Sequence, residues 1–294
     1  MKKNLILLTI ISLAFFACKK DRATTSGTDT DGKKYAVTFG VNGFDQVTEP
    51  IGTKAGKKTL ADTSNIRKIA SLSYVLYNTN GKKIKTKNYK NTEVEFGSIR
   101  DSLPQGNYIA VIIGGDFFIN GDVANAGITF YKKISFTVSN SPFSQSVTLE
   151  RMNAGLQVIV EDTVPAGDYP RSYRISVNDY STFSIFNYQP LSTTFIARSY
   201  LKETSQRDTI DIGTIPSILN TVTPMTVTVG AYRNSNGTSV IALKTIGNVM
   251  FYRNKKTILR GKLFNNDTTG TGNAGFKISF NNTELNIDST KYGF

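Results

Sequence analysis

From residue 35 onward the sequence is a succession of short runs in which every second position is apolar. The run at 35–41 (YAVTFGV) puts Val37, Phe39 and Val41 on one side, and that at 71–76 (SLSYVL) does the same with Leu72, Tyr74 and Leu76. Tyr173, Ile175 and Val177 share a side, and residues 225–231 (MTVTVGA) alternate throughout. Successive side chains of a strand point to opposite faces, so a period of two builds one apolar face per run. Residues 107–113 (NYIAVII) are almost continuously apolar, the pattern of a central strand covered on both faces. Asn80-Gly81 reads as a hairpin turn and Pro104-Gln105-Gly106 as a second turn. Val94 with Phe96, and runs at 128–138, 146–149, 156–160, 183–185, 209–212, 240–243 and 257–264, bring the set to about fourteen strands. No window carries a helical period of any length. The pattern predicts an all-β chain with strands enough for two β-sandwiches of about seven each.

Nothing in that body can be held by disulfides, because the single cysteine of the 294 residues is Cys18. It closes a segment of different character. Met1-Lys2-Lys3 is basic, residues 5–16 are almost wholly apolar, and the small Ala17 directly precedes Cys18. A basic start, an apolar stretch of about 7–15 residues and a small residue at the cut form a secretory signal peptide. The stretch is shorter than the about 20 apolar residues of a membrane-spanning helix. These residues also resemble the lipobox of bacterial lipoproteins, in which cleavage falls before a cysteine that is then lipidated. The lipobox usually has Leu three residues before the cysteine, where this chain has Phe15. The resemblance implies cleavage between Ala17 and Cys18 and a lipid, palmitate included, on Cys18.

Composition narrows the chemistry. The chain has no His and no Trp. That removes the commonest general base, the commonest metal ligand and the serine and cysteine protease triads. No paired acid/base constellation marks a catalytic residue, so the expectation is no enzyme, no metal and no cofactor. The net charge of +13 comes from scattered lysines and arginines without a groove-binding motif, which argues against nucleic acid as a partner. Outside a cell, such a surface attracts acidic polysaccharide, lipid headgroups or proteins.

The segments order themselves as a signal peptide at 1–17, a polar tether at 18–34, an N-terminal sandwich at 35–151, a C-terminal sandwich at 152–264 and a tail at 265–294. The tether (KKDRATTSGTDTDGKK from Lys19) has too little apolar surface to offset ordering. No flexible linker separates the two sandwiches near 151–155, so a stiff junction is expected.

Three stretches carry a family likeness. Val37-Thr38-Phe39 with Val41-Asn42-Gly43-Phe44, continued by residues 69–77 and Asn80-Gly81, resembles an opening strand, second strand and turn. Val147-Thr148-Leu149-Glu150-Arg151-Met152, leading into residues 156–160 and Val164-Pro165, resembles a junction between domains. Residues 257–264 (TILRGKLF) resemble a closing segment. In this order they are similar to the fimbrillin-like proteins of bacteroidete cell surfaces, which are fimbrial shaft, tip and anchor subunits. The resemblance implies two transthyretin-like β-sandwich domains in tandem. It also implies a lipid-anchored place at the outer membrane, where Cys18-Lys19-Lys20-Asp21 resembles a surface-export signal. Partners would be other fimbrial subunits, joined by β-strand exchange, and host or biofilm ligands. In shaft subunits a cut after Arg or Lys in the loop following the first strand releases that strand; Lys54-Ala55 lies in the corresponding loop. The tail, with Phe276, Ile278, Phe280, Leu285 and Ile287 alternating, is either a donor strand or an ordinary last strand of the second sandwich. Asp101-Ser102-Leu103, Asp162-Thr163-Val164, Asp208-Thr209-Ile210 and two later triplets resemble bacteroidete O-glycosylation sites. A different class stays open: a surface glycan-binding lipoprotein of a polysaccharide uptake system. That reading requires an exposed aromatic platform, with Tyr173, Tyr180 and Tyr188 as candidates.

Overall fold

The computed structural model describes residues 32–45, 66, 69–125, 127–201, 209–265 and 276–281. They form strands β1 (Tyr35–Asp45), β2 (Ser71–Asn78), β3 (Lys83–Lys90), β4 (Ser98–Leu103), β5 (Gly106–Gly115), β6 (Ile119–Asn120), β7 (Val123–Asn125), β8 (Thr129–Val138) and β9 (Phe143–Arg151). The second half follows as β10 (Ala154–Val160), β11 (Ser172–Ser184), β12 (Pro190–Leu201), β13 (Ile210–Ile218), β14 (Met225–Tyr232), β15 (Val240–Val249), β16 (Lys256–Gly261) and β17 (Phe276–Asn281). The all-β expectation holds.

One of the sequence-predicted strands does not form. Val94 and Phe96 lie in consecutive turns between β3 and β4, closed by Glu93 N–H to Lys90 O and Phe96 N–H to Glu93 O. Val94 is fully exposed there while Phe96 enters the core, so their two-residue spacing reflects a tight turn rather than a pleat. Of the two turns read from the sequence, the hairpin turn forms, while residues 104–105 make only a bend between β4 and β5. At Asn80-Gly81, the Asn78 side chain accepts from the amides of Asn80 and Lys82, and Gly81 takes a φ of 75°.

In the first half the strand order is β3-β2-β5-β8-β9-β1-β4. The β8–β9 link is thin, limited to Phe130 opposite Arg151 and Tyr131 opposite Glu150. The sheet turns there, so that β3-β2-β5-β8 and β9-β1-β4 face each other across one core. Phe39 of β1 lies 5.9 Å from the Tyr74 ring of β2, 5.2 Å from Phe136 of β8 and 5.7 Å from Phe143 of β9.

The second half repeats this plan. Its sheets run β12-β11-β14-β15 and β13-β10-β16-β17. In each half the first strand lies between the last sandwich strand, which is parallel to it, and an antiparallel middle strand: β9-β1-β4 and β16-β10-β13. Parallel pairing of first and last strands demands a crossover, which the strands of the opposite sheet supply. The two cores are separate in sequence. The first draws on residues 37–149 and the second on residues 154–276.

A third apolar cluster joins the halves. Val75, Tyr77, Val111 and Ile113 point from the outer side of β2 and β5 towards Phe183, Ile185, Tyr188 and Leu219. The near-continuous run at 107–113 thus has both faces covered, Ala110 and Ile112 by one core and Val111 and Ile113 by the other. Residues of β7 add to the far end of β11, with Phe183 opposite Ala124. The junction itself is buried: Arg151, Met152 and Asn153 are all enclosed. Asn153 accepts from the Thr129 amide at 2.6 Å and donates to Gly127 O, while Arg151 donates to Pro216 O at 3.0 Å.

Candidate functional site

The strand exchange implied by the sequence resemblance would involve the first and last strands, β1 and β17. β1 occupies a slot in the first half. It pairs parallel with β9 from Val37 opposite Phe143 to Asp45 opposite Glu150, and antiparallel with β4 from Tyr35 opposite Leu103 to Gly40 opposite Ser98. The ladder to β9 shifts between Val41 and Gly43, where the Val41 amide donates to Gly97 O at 2.7 Å and Asn42 reaches Ser146. Val37, Phe39, Val41 and Phe44 are all buried. Each such side chain contributes roughly 1.5–3 kcal/mol of burial. Removing β1 would expose that surface and leave the facing edges of β9 and β4 unpaired, an arrangement that strongly favours capture of another strand.

The seam opposite the sheet turn is closed by charge. Asp101 of β4 receives Lys85 Nζ at 2.7 Å, the Tyr74 hydroxyl at 3.1 Å and its neighbour's Ser102 amide at 2.8 Å. Lys87 adds a second cation at 3.7 Å and donates to Arg100 O. Burial pushes the Asp101 carboxyl up, but the hydrogen bonds from Lys85 and Ser102 and the charges of Lys85 and Lys87 outweigh it, so it sits below the usual carboxylate range. The same carboxylate, after burial, helps to push the Tyr74 phenol up.

β17 lies on the outer edge of β16, antiparallel, from Lys256 opposite Asn281 to Gly261 opposite Phe276. Phe276 enters the second core and Ile278 packs against it. Phe280 stands opposite Thr257 in the ladder. The tail residues 276–281 are therefore a strand of their own chain's second sandwich here. The chain leaves β16 through a clamp: the Asp162 carboxylate accepts the amides of Leu263, Phe264 and Asn265 at 2.6–2.8 Å. In the first half the corresponding edge of β9 meets β8 through only two residue pairs.

Other sequence-predicted residues fall elsewhere. Ala17, Cys18, Lys54, Ala55, Leu285 and Ile287 lie outside the described residues. Lys54 follows β1 and precedes β2 in the chain, so a cut there severs β1 from the rest. Tyr173 is buried in the second core and Tyr188 in the cluster between the halves, with Tyr180 packed against the latter. These three build no exposed platform, which is the opposite of what the glycan-binding reading needs of them. Asp101 and Asp162 both serve as clamps, while their neighbours Ser102 and Thr163 are exposed. Sequence reasoning did not find these clamps, because an isolated Asp beside a strand end gives no periodic signal. Among the described residues no group of three or more Asp, Glu, Cys or His side chains is placed to hold a metal, and no helix is long and apolar enough to cross a membrane.

No family model and no curated protein matches the sequence. Solved structures do. A candidate adhesin from Bacteroides thetaiotaomicron is similar at a TM-score of 0.53 and 12% identity, covering 88% of this chain and all of that one, 100%. The fimbrial anchor protein Mfa2 from Porphyromonas gingivalis aligns at a TM-score of 0.49 and 12% identity over 86% of this chain and 99% of that one. A structure described as a candidate polysaccharide-binding protein from Bacteroides thetaiotaomicron gives 0.48 and 10% identity, covering 88% of this chain and 100% of that one. At such identities the likeness is one of fold, and the first of the three carries it.

Proposed function

We propose that this chain is a non-enzymatic, lipid-anchored cell-surface protein that serves as a fimbrial subunit or fimbrial anchor and joins its neighbours by β-strand donation. The observation that carries the reading is the setting of β1: a first strand with a buried face, held between two edges that its removal would leave open. The fold shared over the full length of a candidate adhesin supports it, as does the lipobox-like start. In this reading residues 35–151 and 152–264 are two transthyretin-like domains, and the lipid on Cys18 moors the chain to the outer membrane. An anchor keeps β1 and the lipid. A polymerising subunit loses both through a cut after Lys54, and the alternating tail that begins at Phe276 and Ile278 becomes the strand that fills a neighbour's groove.

Mass spectrometry of the protein's N-terminus at the cell surface tests this. A lipidated Cys18 assigns the anchor role, and a start at Ala55 assigns the polymerised subunit. An intact Met1 with an unmodified Cys18 contradicts both.

A further inference from the structure

The repeat places two strands, β3 and β12, at equivalent edges of the two halves, and their sequences treat the edge differently. β3 (KIKTKNYK) carries four lysines in its eight residues, the usual guard against edge-to-edge pairing. β12 (PLSTTFIARSYL) is longer, twelve residues, and Arg198 is its only charge. Among the described residues its backbone pairs with β11 alone. Ile196 and Tyr200 point to the second core. From Thr193 to Leu201 the odd-numbered row faces outward, and Phe195 and Leu201 in it are 65% and 72% exposed, while Leu191 sits in an irregularity that the ladder to β11 skips.

That outward row reads Thr193, Phe195, Ala197, Ser199, Leu201. It is nearly symmetric about Ile196. Laid antiparallel on itself with Ile196 opposite Ile196, the strand sets Thr193 against Ser199 and the large Phe195 against the small Ala197. On the other face Arg198 meets Thr194, so no like charges oppose each other. Two-fold symmetry requires this kind of self-complementary surface, and cross-strand apolar and Thr–Ser pairs stabilise such ladders. A second copy laid against β3 would instead bring lysines beside lysines.

We propose that β12 is a homodimer edge: two copies of this chain pair through antiparallel β12 strands centred on Ile196, joining their second-half sheets into one. The inference is independent of the fimbrial reading.

Cysteine cross-linking tests it in the full chain, with the wild type showing whatever Cys18 alone contributes. Thr193→Cys and Ser199→Cys are made as separate variants. Mixed and oxidised, they should give a disulfide-linked dimer, because the register sets 193 against 199. Neither variant alone should exceed the wild type, since 193 lies six residues from its own counterpart. Light scattering of the detergent-extracted full chain should show a dimer, and Phe195→Lys should weaken it at least tenfold without lowering the melting temperature. No cross-link in the mixture, equal cross-linking of a single variant, or a dimer indifferent to Phe195→Lys would overturn the proposal.

Discussion

Asp162 holds three backbone amides at once, those of Leu263, Phe264 and Asn265. Asp162→Ala leaves those donors without their acceptor, the buried Leu263 amide among them. The expected loss is about 3 kcal/mol, read from urea denaturation. Asp101 and Asp179 carry the acid response, with opposite signs. Asp101 is held below the usual range, so its stabilising contribution is present above the unfolded value of about 4 and is lost as pH falls through the folded one. Asp179 is buried and accepts the Leu219 and Asn220 amides, yet burial outweighs these bonds and that from Tyr180, and its carboxyl is pushed up. Protonation there favours the fold, so its contribution grows as pH falls through the raised value. Asp101→Asn should flatten the loss of stability on acidification, and Asp179→Asn should steepen it. Urea midpoints between about pH 3 and 7 separate the two.

At the scale of elements, β1 is both a core strand and the proposed leaving strand. Phe39 sits among three rings from three other strands. Phe39→Ala should cost about 3–5 kcal/mol in thermal or urea unfolding, because a fully enclosed ring leaves a cavity that the sheets cannot close. Strands with an alternating apolar face were legible from the residue pattern, and β1, β2, β11 and β14 appear where it places them. Two of the edge strands, β3 and β12, were not. β3 reads as polar throughout because an exposed edge needs its lysines, and β12 breaks its pattern with Ser, Thr and Arg on a half-solvated face. Gly115 was equally silent in the sequence. Its φ is 132°, and a Cβ there would stand 2.0 Å from Ile128 O, so the end of β5 admits no side chain.

Across the whole molecule, the continuous apolar run in β5 announced that both faces would be covered, but not by what. The answer lies far away in the chain: Phe183, Ile185 and Tyr188 of the second half. No local pattern encodes such a partnership, and the leader and maturation residues named from the sequence, with Leu285 and Ile287 of the tail, fall outside the described residues. The cluster between the halves and the β7–β11 ladder couple the two cores. Calorimetry should therefore show one cooperative transition, which Phe183→Ala resolves into two. Two transitions in the unaltered protein would mean that the halves unfold independently. Assembly into fimbriae can be tested by electron microscopy of the parent cells with and without this gene. Deletion should shorten, lengthen or release the fibres. Fibres unchanged in number, length and attachment, together with oligosaccharide binding by the purified protein, would rule out a fimbrial role.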